Sequence, residues 1–143
     1  MTALDPVPLA LEQGRSKMHR ARVVVDFRQA DLLDPPDLGL TFPLVFDRGV
    51  YHHLRNVTLP GFLSVLSGQT QPGGLYLTLA GNANDPDAGK GPPCVPAHQL
   101  CLELSPLFGL VQLREFTLDG VTIDGQPAVP PAWSALLRRK MPA

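Results

Sequence analysis

The stretch Phe42-Pro43-Leu44-Val45-Phe46-Asp47-Arg48-Gly49 is a short apolar run that ends in a carboxylate and a glycine. It has the pattern of a buried strand that leaves the core in a turn, and Pro43, which lacks a ladder donor, fits only near its beginning. Downstream, Val57, Leu59, Phe62, Leu63, Val65 and Leu66 recur at helical spacing, which predicts a helix over 56–66 despite Pro60-Gly61. Gln71-Pro72-Gly73-Gly74 then turns the chain into a second apolar run, Leu75 to Ala80. A strand, a crossover helix and a strand make the alternation of a largely parallel α/β sheet.

The same alternation extends in both directions. Upstream, residues 2–5 read as the end of a strand and 7–20 as an amphipathic helix opened by proline and closed by basic residues. A β-branched strand over Val23–Arg28 follows, and then a proline-rich loop over 31–39. Downstream, a long loop from Gly81 to Pro96 contains four prolines, and loops of that length are usually mobile or functional. A helix over 97–107, a strand over 110–118, a turn-rich connection through Gly120 and Gly125, and a last strand over 133–139 complete the chain. The helix-free final connection predicts an antiparallel hairpin at one edge of the sheet, within a single domain spanning 1–143.

Composition narrows the function. The chain has 143 residues, 44% of them hydrophobic, and 12 Lys+Arg against 13 Asp+Glu. That is enough apolar material for one core, and the near-zero net charge excludes a disordered tail or binding to nucleic acid through bulk positive charge. The closing Arg138-Arg139-Lys140 is too short a basic run to change this. No apolar run approaches the roughly 18 residues of a membrane span, and the N-terminus has no signal-peptide pattern, so a cytoplasmic protein without a membrane partner is expected. Cys94 and Cys101 are then thiols, and Cys94, His98 and Cys101 match none of the common zinc spacings, so no metal site is expected.

In open α/β sheets, ligands bind beyond the carboxyl ends of the strands. Asp5, Asp31 and Asp47 each follow a strand. Such carboxylates can accept hydrogen bonds from ribose hydroxyls, and an aspartate within Ala30-Asp31-Leu32 can accept from an adenine amino group while its apolar neighbours meet the ring. The other reading is that each aspartate shapes a turn or caps a helix.

Taken in order, Thr2-Ala3-Leu4-Asp5 with Pro8 and Ala10-Leu11, Ala30-Asp31-Leu32-Leu33, Phe46-Asp47-Arg48-Gly49 and Gln71-Pro72-Gly73-Gly74 resemble the later part of the class I S-adenosylmethionine-dependent methyltransferase pattern. The Asp47-Arg48-Gly49 motif, the Gly91-Pro92-Pro93 loop and the closing Pro131-Ala132-Trp133 segment with Ala135-Leu136-Leu137 and Arg139 resemble its thiopurine, thiol and tellurite-resistance branch. The resemblance implies a Rossmann-like sheet, S-adenosylmethionine as cofactor and a small-molecule acceptor such as a thiol. It implies cofactor contacts by Asp5, Ala30, Asp31, Leu32 and Asp47, catalytic roles for Arg48 and His52, and acceptor contacts by Arg48, Tyr51, His53 and Trp133. Some of these have a plainer alternative: a helix-start pair with one ring packed and one solvated for His52-His53, a salt bridge for Arg48, and packing against a helix for Trp133.

The chain departs from that pattern in one respect. No strand leads into a glycine-rich turn and helix, and Gly89-Lys90-Gly91 is followed by Pro92-Pro93, which cannot open a helix in that way. By resemblance, Met1 falls inside the family's second strand, so an N-terminally truncated domain missing the central first strand is expected. In the family's sheet order of three, two, one, four, five, seven, six, that loss leaves strands two and four roughly 10 Å apart. The expectation is then impaired activity, marginal stability and self-association through exposed sheet edges, with a non-catalytic remnant as the alternative. A dinucleotide-dependent oxidoreductase, which also carries an acid after its second strand, is disfavoured by the Pro72-Gly73-Gly74 lead and the terminal hairpin.

Overall fold

The computed structural model describes residues 1–34 and 37–142, and the chain divides into two units, Met1–Gly39 and Leu40–Ala143, where the sequence predicts one domain. In the first unit, strands β1 (Thr2–Asp5) and β2 (Asp26–Gln29) pair in parallel around the crossover helix α1 (Pro8–Ala21). Pro8 opens α1 at a position where its missing N–H has no partner to lose, and Arg22 closes it in the left-handed conformation with φ 54°. Helix and strand approach closely at Gly14, where a Cβ would stand 2.6 Å from the Phe27 ring. The strand expected over Val23–Arg28 starts only at Asp26. The Val23 N–H donates to the Met18 carbonyl and the Val25 N–H to the Met18 sulfur, which keeps these residues in the helix cap and leaves Val24 90% exposed.

The second unit contains β3 (Phe42–Arg48), α2 (Tyr51–Gln69), β4 (Thr70–Asn82), β5 (Cys94–Val95), α3 (Ala97–Leu104), β6 (Phe108–Thr117), β7 (Val121–Ile123), β8 (Gln126–Ala128) and β9 (Pro131–Arg139). Its main sheet has the order β3-β4-β9-β6, with β5 beside the end of β4. β3 and β5 run parallel to β4, while β9 runs antiparallel to both β4 and β6. This is the mostly parallel, Rossmann-like α/β sheet with an antiparallel terminal pair. The last strand lies inside the sheet and β6 forms its edge.

One face of the sheet carries the core. Tyr76 and Ala80 of β4, Ala135 and Leu137 of β9 and Phe108 of β6 meet Phe62 and Leu66 of α2 and Leu100 and Leu104 of α3. β3 is less buried than its composition predicts: Leu44 and Phe46 are 52% and 55% exposed, because β3 is an edge strand and only the alternate Val45 turns to the core. α2 begins five residues before the predicted start and breaks at Thr58. The Thr58 hydroxyl accepts the Gly61 N–H at 3.2 Å, so it caps a second helical segment in which Pro60 occupies the tolerant first turn. The loop expected over 81–96 narrows to 83–93, since β4 runs on to Asn82. No helix is long and apolar enough to cross a membrane among the described residues.

α2 and α3 are joined by one partly buried cluster. Glu103 accepts from the Tyr51 hydroxyl at 2.7 Å and from Arg55 Nε at 2.8 Å, with the Arg55 and Glu103 side chains 10% and 13% exposed. Burial pushes the Glu103 carboxyl up, but the hydrogen bonds from Arg55 and Tyr51 outweigh it and hold the group below its usual value. Its contribution to stability is therefore present above the ordinary carboxylate range and is lost as pH falls through it. Glu103→Ala should cost about 2 kcal/mol in urea unfolding at neutral pH, with a smaller difference from the native chain in acid.

Candidate functional site

In the first unit, β1 and β2 are parallel, so Asp5 and the Ala30-Asp31-Leu32 turn emerge at the same end. The Ala30 N–H donates to the Asp5 carbonyl at 3.2 Å, which ties the two strand ends together. Each carboxylate also shapes its own turn: Asp5 accepts the Val7 N–H at 2.8 Å ahead of α1, and Asp31 accepts the Leu33 N–H at 2.9 Å. Both bonds use Oδ1, and the Oδ2 atoms have no hydrogen-bond partner among the described residues. Turn-shaping and ligand-accepting roles are therefore compatible in these two aspartates. Ala30 is buried and Leu32 half-buried beside them.

In the second unit, the end of β3 is organised around Asp47. Its Oδ1 accepts the Val50 N–H at 3.1 Å, the Tyr51 N–H at 3.3 Å and the Thr78 hydroxyl at 3.2 Å, and its Oδ2 accepts the Tyr76 hydroxyl. Desolvation raises the Asp47 carboxyl above its usual value despite these four donors. The donors fill the acceptor positions expected to meet a cofactor, so in this structure Asp47 caps α2 and binds it to β4. Tyr76 and Thr78 were not legible as partners of Asp47, although two hydroxyl residues alternating on a strand as apolar as Leu75 to Ala80 are a signal of a buried acceptor.

Arg48 forms no salt bridge to Asp47. Its guanidinium donates to the Asp119 carbonyl at 2.7 Å, just beyond β6. Gly49, at φ 82°, donates its N–H to the Leu79 carbonyl and lets the His52 ring approach within 3.2 Å of where a Cβ would stand. His52 is buried and its Nδ1 accepts the Gly81 N–H at 2.8 Å. The ring proton is thus on Nε2, and the lone pair needed to accept a substrate proton is already used. His53 is exposed and stands edge-on to His52, with ring centroids 5.2 Å apart. Tyr51 and Trp133 both lie in the core, the Tyr51 hydroxyl on Glu103 and the Trp133 indole donating to the Val95 carbonyl at 2.8 Å. Of the side chains expected to touch an acceptor, Arg48 and His53 are the ones exposed.

A small cleft lies between the 83–93 loop and the segment that follows β6, lined among others by Asp85, Gly91, Cys94, Leu118 and Ile123. Burial and the nearby Asp85 raise the Cys94 thiol, which keeps it protonated rather than nucleophilic. Cys94, His98 and Cys101 do not converge on a metal-binding group among the described residues.

The His52 contact has a consequence for pH. Burial, with a smaller contribution from His53, lowers the imidazole from 6.5 to about 4. Between those values the unfolded chain takes up a proton that the folded chain refuses, so stability falls as pH drops through this window, by up to about 3 kcal/mol. In His52→Asn the amide oxygen can still accept the Gly81 N–H but cannot protonate. Chemical unfolding at a series of pH values should therefore show a flatter acid limb for the variant.

No protein-family model matches the chain, and no curated protein matches it. Solved structures do. A protein from a study of the conversion of a disulfide bond into a thioacetal group during echinomycin biosynthesis superposes with a TM-score of 0.79 at 21% identity, over 99% of this chain and 67% of that one. A SAM-dependent methyltransferase of Methanosarcina mazei gives 0.74 at 11% identity, over 99% of this chain and 82% of that one. The N-methyltransferase NodS of Bradyrhizobium japonicum, in complex with S-adenosyl-L-homocysteine, gives 0.63 at 16% identity, over 96% of this chain and 65% of that one. The chain has the fold of the S-adenosylmethionine-dependent methyltransferases.

Proposed function

We propose that this protein takes part in S-adenosylmethionine-dependent methyl transfer to a small molecule, with a soft nucleophile such as a thiol as acceptor. The observation that carries the proposal is the pair of carboxylates at the carboxyl ends of β1 and β2, each with one oxygen left unpaired by its turn among the described residues, in a chain with the methyltransferase fold. Asp5 Oδ2 is suited to accept from the ribose hydroxyls. Asp31 Oδ2 is suited to the adenine amino group, with Ala30 and Leu32 against the ring. The cofactor supplies a methyl carbon made electrophilic by its sulfonium. The protein's part is then alignment of the acceptor and exclusion of water.

Within the second unit, Arg48 offers a guanidinium for an anionic or thiolate group. The proton-accepting role expected of His52 passes to His53, whose ring is exposed and has not been taken up by a backbone donor among the described residues. Asp47 acts through structure, holding the start of α2 from which both histidines project.

Among the described residues, no strand leads through a glycine-rich turn into a helix, the arrangement that lets backbone approach the methionine end of the cofactor. Binding by this chain is accordingly weak and concentrated on the nucleoside. Calorimetric titration should give adenosine and S-adenosylhomocysteine similar affinities, within about threefold, and Asp5→Ala should remove both. Tighter binding of S-adenosylhomocysteine by about a hundredfold would show that the methionine end is held after all. Absence of nucleoside binding would favour the non-catalytic alternative.

A further inference from the structure

We infer that the β7–β8 hairpin is a hinged cover over the cleft beside Cys94, and that Arg48 is the positioning residue that holds it closed. The cleft has a volume of about 20 Å³, room for one water molecule. One wall is the 83–93 loop with Cys94, and the other is Leu118, Ile123, Pro130 and Pro131, at the base and on the inner side of the hairpin. The space between these walls holds little more than that one water while they stay together.

The hairpin has little to hold it in place. β7 and β8 are three residues each and pair with each other, apart from the main sheet. A two-stranded ribbon of that size is marginal in water without further contacts. The Leu118 N–H bonded to the Pro130 carbonyl at 2.9 Å closes its base. Beyond that base, the segment is tied to the rest of the unit by the Arg48 guanidinium on the Asp119 carbonyl, its side-chain hydrogen bond among the described residues, and by Ile123, packed where a Gly91 Cβ would stand 3.0 Å from its Cδ1. Arg48 reaches Asp119 from β3, at the opposite edge of the sheet from β6. Gly120, at φ 69°, follows the gripped carbonyl and gives the chain a residue that turns freely once the grip is lost. The closure stands on this geometry alone and does not rest on the proposed methyl transfer.

Cys94 lines the cleft, so the reactivity of its thiol is the readout of opening, with Cys101 as the internal control. Alkylation of the full chain by iodoacetamide, followed by peptide mass spectrometry, should run at least about fivefold faster at Cys94 in Arg48→Gln than in the native chain, with Cys101 unchanged. Hydrogen exchange of 119–129 should accelerate with it while β4 stays protected. Ile123→Ala, which removes the other contact, should act in the same direction. Unchanged Cys94 alkylation and unchanged exchange in Arg48→Gln would overturn the inference, as would an equal acceleration of Cys101 in both variants, which reports general unfolding. None of these readouts depends on cofactor binding, so they stand or fall separately from the proposed function.

Discussion

The second unit is built on the Asp47 carboxylate. Four donors from two other segments converge on it: the Val50 and Tyr51 N–H groups that open α2, and the Tyr76 and Thr78 hydroxyls of β4. Fixing the first turn of α2 there sets the later contacts. Tyr51 is aimed at Glu103 on α3, and His52 is placed over Gly49 with its Nδ1 on the Gly81 N–H. Tyr76 in turn stands between Phe62 and Phe108, so the polar cluster and the aromatic core share a side chain. Burying a carboxylate is costly, and the raised Asp47 carboxyl shows that desolvation outweighs the donors. The same low-dielectric surroundings make each of those hydrogen bonds expensive to leave unmade.

Much of the element order was legible because the apolar runs are short and clearly punctuated. Leu75 to Ala80 and Trp133 to Arg139 lie in strands, as does the expected 110–118 run up to Thr117, and α1 and α3 begin where proline and the helical spacing place them, α3 stopping at Leu104 rather than 107. The misses have local causes. Tyr51-His52-His53 shows no apolar period, so the start of α2 was hidden, although a capping carboxylate four residues before Tyr51 was in view. The β7–β8 hairpin was passed over as turns. Yet Asp124-Gly125, flanked by Val121-Thr122-Ile123, is the strongest short hairpin signal, and both residues take the positive φ of a mirror-image turn, 50° and 77°.

The candidate site was legible in residue type and much less so in exposure. The motif at the end of β3 was readable as chemistry, but whether Asp47 faces a ligand or a neighbour depends on Tyr76 and Thr78, far away in the chain and adjacent across the β3–β4 pair. Likewise, nothing local in the sequence reveals that His52 meets the Gly81 N–H or that Trp133 meets the Val95 carbonyl. The aspartates of the first unit differ in this respect. They bond within their own turns and keep an outward oxygen, so their potential as acceptors survives in the folded structure. The fold supplies the platform, and the activity depends on which strand-end groups remain free to act.

Urea unfolding of Asp47→Ala, followed through the fluorescence of Trp133, tests the central role of this carboxylate most directly, because the single tryptophan lies in the core of the same unit. Removing the carboxylate leaves two backbone N–H groups and two hydroxyls without their acceptor, at about 1 to 3 kcal/mol for each buried group. A loss of at least about 3 kcal/mol, or loss of a cooperative transition altogether, is the expected result. A transition within about 1 kcal/mol of the native chain would contradict it, and would mean that α2 is held to the sheet by its apolar face alone.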